Sequence, residues 1–408
     1  MKAPLTISAI TIVFSINAQQ LKKLNDLSDV LVEATSLYVG NNPSSTTYGA
    51  ISNVAIGQTA LYSITTGDFN TAIGQDALYN NETGFNNTAS GYQALYYNKT
   101  GGRNTASGYQ ALYNNTTGVM NTASGNLALF SNTTGDFNTA SGYGALSSNT
   151  SGINNTASGF LALSSNTTGD FNTASGYQAL YNNTTGSMNT ATGYTALNSN
   201  ILGDYNTATG NMALYENTTG NMNTASGNQA LYNNTTGNYN TAFGYKAMAS
   251  AVDATNQTVI GYEATGQTDN SVVLGNDNVT AIYMAQDAGA TVYAGDGDFT
   301  GNMTIGGDVF VNSDARLKAN IVSLGYTLAK LLLVDGKTYT MKKDGKQKIG
   351  LLAQDIKNVF PVLVSEDDHE MLAVNYQGLI PILINALKEQ DAKISRLEQL
   401  TKQLITNE

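Results

Sequence analysis

From Asn53 onward the chain repeats every 17 residues, and this period constrains the fold more than any other feature. Copies begin at Asn53, Asn70, Asn87, Asn104, Asn121, Asn138, Asn155, Asn172, Asn189, Asn206, Asn223 and Asn240. They share the consensus Asn-Thr-Ala-Ser-Gly-Tyr-x-Ala-Leu-Tyr-x-Asn-Thr-Thr-Gly-x-x. The third residue is always Ala, the fifth Gly and the eighth Ala; the ninth is Leu until Met248 in the last copy. A fifteenth-position Gly recurs from Gly67 to Gly237. Such a unit is too short for a helix pair, and Gly and Asn in every copy oppose helix propagation. Two short strands separated by turns fit it. Ala and Gly take the crowded inward positions, one Leu per coil stacks on its neighbours, and Asn-Thr-Thr-Gly supplies a turn with Gly at positive φ. Twelve coils stacked at about 4.8 Å give a β-solenoid about 58 Å long.

One coil with Ala and Gly inside buries little, so a side-by-side oligomer is expected to cover the larger residues. Tyrosines recur at the sixth position (Tyr92, Tyr109, Tyr143, Tyr177, Tyr194, Tyr245) and at the tenth (Tyr62, Tyr79, Tyr96, Tyr113, Tyr181, Tyr215, Tyr232). Two readings are open for them: spacers within the stack, or a ladder of ring faces for a sugar or host surface. The Asn-x-Thr triplets match glycosylation acceptors, and turn chemistry accounts for them without that. The Asn-Thr-Ala-x-Gly coils resemble the left-handed β-roll heads of trimeric autotransporter adhesins. That resemblance implies a homotrimer with three rolls around one axis. The longer unit here departs from the adhesin pattern and implies an outward bulge at Asn-Thr-Thr-Gly.

The flanks read differently. Lys2, the apolar run Pro4 to Ile16 and the small Ala18 before Gln19 give residues 1–18 the form of a signal peptide, too short for a membrane span. Residues 19–52 are a leader with a helical pattern (Leu21, Leu24, Leu27, Leu31) broken at Gly40 to Pro43. The array, 53–275, decays through Gln257–Gly261 and Asn270–Gly275. Residues 276–312 then alternate as short strands with Gly breaks, a narrow β-stalk whose Asp296, Asp298 and Asp308 read as turn residues and not calcium ligands.

Charge divides the chain too. Of its 19 Lys and Arg, six (Lys2, Lys22, Lys23, Lys99, Arg103, Lys246) precede residue 312 and 13 follow it. A net charge of −11 gives nucleic-acid binding no electrostatic support. The absence of cysteine excludes disulfides and thiolate metal sites, and the single histidine, His369, argues against a His-based triad or a multi-His metal site. No cofactor or metal is expected.

After residue 312 the pattern becomes α+β. Leu324 to Val334 has helical spacing, Thr338–Met341 reads as a strand, and Lys342 to Lys348 reads as a basic hairpin. A short helix closes at Phe360-Pro361. A long helix then places Ile380, Leu383, Leu387, Ile394, Leu397 and Leu404 on a heptad seam, with Gln390 and Thr401 as its polar members. Such a stripe needs partner helices. Three pieces stand in order: Ser313-Asp-Ala-Arg-Leu-Lys-Ala-Asn-Ile321, Gly350-Leu-Leu-Ala-Gln354 with Val359-Phe-Pro361, and Val374-Asn-Tyr-x-Gly-Leu-Ile-Pro381. Together they resemble the C-terminal intramolecular-chaperone autoprotease domain of phage tailspikes and endosialidases. The resemblance implies trimerisation, assistance to folding of the preceding fibre, and self-cleavage at Asn312–Ser313, with Ser313 as nucleophile and Lys318 as general base. Asp314, Arg316 and Asn320 are read as shaping the turn.

The expected fold is therefore mostly β, a trimeric solenoid and stalk followed by a small α+β domain, 313–408, ending in a coiled coil. The expected function is that of a secreted or cell-surface adhesin, or a virion tail fibre, with a host-surface glycan or receptor as candidate ligand. An uncleaved structural fibre is one alternative. A glycan-degrading spike is the other; its carboxylates Asp68, Asp136, Asp170 and Asp204 share one repeat position, and so form a column and not an isolated catalytic pair.

Overall fold

The computed structural model describes residues 30–33, 35–40, 43–44, 49–282, 314–342, 345–366 and 370–406. The signal segment, most of the leader, the stalk from residue 283, Asn312 and Ser313 lie outside them. Contacts divide the chain into two compact units between Thr291 and Val292.

In the first unit, each 17-residue copy makes one turn of a β-solenoid. Strands β3 (Val54–Ile56) through β14 (Thr241–Phe243) fall one per copy and pair in parallel, Thr on Thr and Ala on Ala through most of the array. Two further strands, β15 (Gln257–Ile260) and β16 (Ser271–Leu274), extend the sheet, the last pairing at an offset of 14 residues (Gln257↔Ser271). One strand per coil replaces the two expected, and the rest of each coil is tight turns. A coil also precedes Asn53: β2 (Ser36–Val39) pairs in parallel with β3, Tyr38 against Ala55. Fully buried Tyr38 fills the inward place that Ala holds elsewhere. Leu31, read above as helical, instead lies in β1 (Val30–Glu33), which pairs antiparallel to β2 and covers the sheet's first edge.

The interior is Ala at the third and eighth positions and Leu at the ninth, nearly all at zero exposure. Between these columns run two ladders of buried asparagine. At the first position, Asn138 Nδ2 donates to Gly152 O at 2.8 Å, and Asn138 Oδ1 accepts from the Asn155 amide of the next coil at 3.0 Å. At the twelfth, Asn149 Nδ2 donates to Gly152 O at 3.0 Å and to Asn132 Oδ1 of the preceding coil at 2.8 Å. Apart from the end coils, the pattern recurs along the array. Buried amides are tolerated because both ends of each are paired.

The glycines serve differently from the expectation. The fifteenth-position Gly does not take positive φ; it is needed for space, since a Cβ on Gly152 would lie 2.5 Å from both Asn149 Oδ1 and Gly169 O. Positive φ falls at the fifth-position Gly, and at non-glycine residues including ninth-position leucines such as Leu112 (φ 52). A left-handed leucine costs about 1–2 kcal/mol. Burying its side chain returns about 1.5–3 kcal/mol, so the conformation survives where the coil stack seals the side chain in.

The second unit is α+β. Helix α1 (Leu328–Leu331) is one turn, shorter than the spacing of Leu324 to Val334 suggested, because the residues before Thr327 are all exposed. The hairpin β17 (Lys337–Thr340) and β18 (Gln347–Gly350), helix α2 (Ala353–Val359) and the pair β19 (Val364–Glu366) and β20 (Leu372–Val374) follow. Helix α3 (Leu379–Thr406) runs 28 residues. The core is small: Ile356, Phe360, Leu363, Leu379 and Ile382, with partly buried neighbours. Among the described residues no helix is long and apolar enough to cross a membrane.

Asn138→Ala removes the donor to Gly152 O and the acceptor of the Asn155 amide. Gly152 O keeps its bond from Asn149, so the Asn155 amide is the buried group left stranded, and a loss of about 1–3 kcal/mol is expected. Denaturant unfolding of the array followed by circular dichroism measures it; an exposed substitution in the same coil, Thr139→Ala, should change it little.

Candidate functional site

Just downstream of Ser313, Ala315–Leu317 form a single 3-10 turn. Asp314 caps it: Oδ1 accepts from the Arg316 amide at 2.8 Å, and the Arg316 guanidinium grips the same carboxylate, Nη2 to Oδ2 at 2.7 Å. The Arg316 side chain, then its amide, holds the Asp314 carboxyl below its ordinary value. The Lys318 amide closes the turn on Ala315 O at 3.1 Å, and its side chain is exposed. Asn320 takes φ +53, a left-handed conformation that asparagine tolerates. Asp314, Arg316 and Asn320 thus shape the backbone around Lys318. Ser313, the expected nucleophile, lies outside the described residues.

Every residue from Asp314 to Tyr326 is exposed, and Thr327 is the first buried residue beyond the boundary. It is held by one face of α3. The Thr327 and Leu328 amides both donate to Glu389 Oε1, the latter at 3.1 Å. The Thr327 hydroxyl lies within reach of two acceptors, Ile382 O at 3.1 Å and Glu389 Oε1 at 3.3 Å. Asn385 Nδ2 reaches Gly325 O at 3.5 Å. Ile382, Asn385 and Glu389 are three and four residues apart, so they line one side of the helix. Burial pulls the Glu389 carboxyl up, but the Thr327 and Leu328 donors, aided by Lys393, outweigh it and leave the group below its ordinary value.

Helix α3 has a second face. Leu379, Ile382 and Ala386 are buried on the clasp side, whereas Ile380, Leu383, Leu387, Ile394, Leu397 and Leu404 are all exposed. The heptad seam is therefore a separate exposed stripe, about 100° round the helix from the clasp side. Glu389 and Thr327 were not singled out in the sequence. The signal for them is the second 3–4 spacing, Leu379–Ile382–Ala386–Glu389, which the stronger heptad beside it masks.

On the solenoid, the tenth-position rings Tyr62, Tyr79, Tyr96, Tyr113 and Phe130 stack in a continuous column at centroid distances of 5.1–5.3 Å. At the sixth position Tyr143, Phe160, Tyr177 and Tyr194 do the same at 5.1–5.3 Å. Within these columns each interior ring's faces are covered by the coils above and below, which favours the spacer reading over a row of sugar platforms. The acidic column is also structural. Asp68, Asp136, Asp170 and Asp204 accept from the amides of Ile51, Val119, Ile153 and Ser187 in the preceding coil, at 2.7–2.8 Å.

In sequence, a parallel β-solenoid thus precedes a small α+β unit whose heptad stripe is exposed. Residues 313–365 match the family model described as chaperone of endosialidase, so the chain carries that domain, beginning at Ser313. It is similar to phage long tail fiber proteins. Identity to the long tail fiber protein Gp37 of Escherichia phage AR1 is 35% over 92 residues, 20% of this chain and 8% of that protein. To the protein of that name from Enterobacteria phage K3 it is 29% over 143 residues, 33% of this chain and 11% of the relative. To that of Enterobacteria phage Ox2 it is 27% over 143 residues, 33% of this chain and 53% of the relative. The matched stretch spans from under a tenth to about half of these relatives.

Because the Glu389 carboxyl is lowered on folding, the clasp's electrostatic contribution is complete above the ordinary carboxyl value of 4.5 and is lost as pH falls through the lower folded value. The protection of the Thr327 and Leu328 amides, taken against each amide's intrinsic exchange rate at the same pH, should therefore hold at neutral pH and fall in strong acid ahead of that of the β17–β18 hairpin. A uniform loss of protection in both regions would contradict this.

Proposed function

We propose that the chain is a homotrimeric fibre whose C-terminal domain aligns three chains, assists folding of the solenoid, and then releases itself by cutting its own backbone at Asn312–Ser313. The observation that carries this reading is that the chaperone-of-endosialidase match begins at Ser313, in a unit whose heptad seam is exposed along α3. Helix partners would cover that seam, and the small core of the unit is consistent with a fold completed by association. In the cleavage step Ser313 Oγ attacks the Asn312 carbonyl, and the Lys318 amine takes the hydroxyl proton and then gives it to the leaving Ser313 amine. The products are an Asn312 ester, opened by water, and a new N-terminus at Ser313. A lysine serves as base only where burial favours its neutral form, and Lys318 is exposed in the single chain. Assembly of neighbouring copies would supply the burial, which makes cleavage conditional on correct association.

The relatives' name favours a virion tail fibre over a secreted surface protein, and residues 1–18 support export. N-terminal sequencing of the mature protein tests both Ala18–Gln19 and Asn312–Ser313. The solenoid is assigned the binding role, toward a host-surface glycan or receptor, on its length and exposure. Hydrolysis of a polysaccharide finds no support in the acidic column, whose carboxylates are engaged by backbone amides.

On denaturing electrophoresis the 42.9 kDa chain should resolve into fragments of about 33 and about 10 kDa, in proportion to residues 1–312 and 313–408. Ser313→Ala should run as one full-length band. A wild-type chain that stays intact, or Ser313→Ala that still splits, rules self-cleavage out. Leu387→Asp, placed mid-seam, should abolish crosslinked trimers and leave the chain uncut, since burying an unpaired carboxylate in the seam costs several kcal/mol.

A further inference from the structure

The last position of each repeat follows a pattern of twice the coil period. In the odd-numbered copies it is Phe69, Arg103, Phe137, Phe171, Tyr205 and Tyr239. In the even-numbered copies it is Asn86, Met120, Asn154, Met188, Met222 and Asn256, with no ring among them. All of these residues take positive φ, the five rings at 57–60°. Asparagine adopts that conformation at least cost, and three coils use it, so the turn itself does not call for Phe or Tyr. Burial does not offset the strain as it does at Leu112, because the five rings are 50–56% exposed. Among the described residues none of them stacks on another ring, unlike the sixth- and tenth-position columns.

The backbone under these rings is nonetheless firmly held. Phe137 donates its amide to Val119 O at 3.1 Å, and Asp136 Oδ1 accepts the Val119 amide at 2.7 Å. The pair thus clamps one residue of the preceding coil. Asp170-Phe171 clamps Ile153, and Asp204-Tyr205 clamps Ser187, in the same way. The rings therefore stand at a pitch set by the stack, one every second coil, or about 9.6 Å apart.

We infer that this ladder binds an unbranched, uncharged β-1,4-linked glycan lying along the solenoid, with a sugar stacked at each ring. The inference rests on the binding role given to the solenoid above and names its ligand class. In a β-1,4-linked chain of hexopyranoses each sugar is turned over relative to the last, so one C–H face recurs at every second sugar. That recurrence is close to the height of two coils. An α-1,4 linkage coils the chain and a β-1,3 linkage curves it, so neither keeps the pitch. Rings offer large contact area at low ordering cost, and here their spacing is fixed before the ligand arrives. Asp136, Asp170 and Asp204, each next to a ring in a chain of net charge −11, disfavour a polyanionic glycan.

The test uses the full chain as wild type, as Phe171→Asn with Tyr205→Asn, and as Met188→Asn with Met222→Asn. Asparagine already stands at this position elsewhere in the array, so both double variants keep the turn. Calorimetry measures binding of cellohexaose and chitohexaose, with maltohexaose, laminarihexaose and polygalacturonate as controls, and crosslinking follows association of the chain. The wild type is expected to bind at least one of the two β-1,4-linked hexasaccharides and none of the controls. The ring variant should bind about tenfold more weakly or worse, and the methionine variant should match wild type. A control bound as tightly as the β-1,4-linked probes, or an equal loss in the methionine variant, overturns the proposal. Loss of crosslinked trimers in the ring variant also overturns it, since the column is then an interface between copies. Binding to controls alone overturns this ligand class and leaves the glycan-binding reading standing. Binding to no glycan overturns the ligand class and the glycan-binding reading together.

Discussion

Everything in the solenoid depends on asparagine side chains that are buried and fully paired. A coil lined by alanine has little apolar surface to hold it closed, and a stack of such coils could slide by one residue at small hydrophobic cost. The first- and twelfth-position amides remove that freedom. Each joins its coil to the next through a specific donor and acceptor, so a slipped register strands buried polar groups at every level. Here the polar interior specifies the fold and the apolar columns fill it. The shared use of Gly152 O by Asn138 and Asn149, and the glycine that leaves room for them, make the two ladders one device.

The C-terminal unit solves the opposite problem. Its interior core is a handful of residues, and much of its apolar surface, including the α3 seam, faces outward. A solenoid of near-identical coils gains no information about which chain or coil should pair with which, whereas a heptad helix, in the proposed trimer, would fix chain alignment before the repeats zip up. The proposed trimer and the proposed cut divide these tasks: alignment is needed during folding and is dispensable once the ladders have closed.

Much of this was legible because period is the most robust signal a sequence carries. The 17-residue spacing and the Ala and Leu positions gave the solenoid and its inward face, and the seam of Ile380, Leu383 and Leu387 gave the outward face of α3. What was not legible were the backbone conformations that close each coil. Nothing about a leucine announces positive φ, since the price of that conformation is met by burial that exists only in the stack. The strand count went wrong for the same reason: the turns around Leu112 replace the second strand expected there. The roles of Thr327 and Glu389 stayed hidden because they lie 62 residues apart and meet only through tertiary packing.

The N-terminal edge also has a consequence for how the fibre varies. Because Tyr38 and the antiparallel β1 finish one end, and β16 leaves the 17-residue spacing at the other, the copies between are interchangeable parts between two fixed ends. Length can then change only in whole coils. Losing or gaining a number of residues that is not a multiple of 17 breaks both asparagine ladders at once, whereas exchange between any two Asn-Thr-Ala starts preserves them. The length of the solenoid is thus adjustable in steps of about 4.8 Å per coil without any new packing problem to solve.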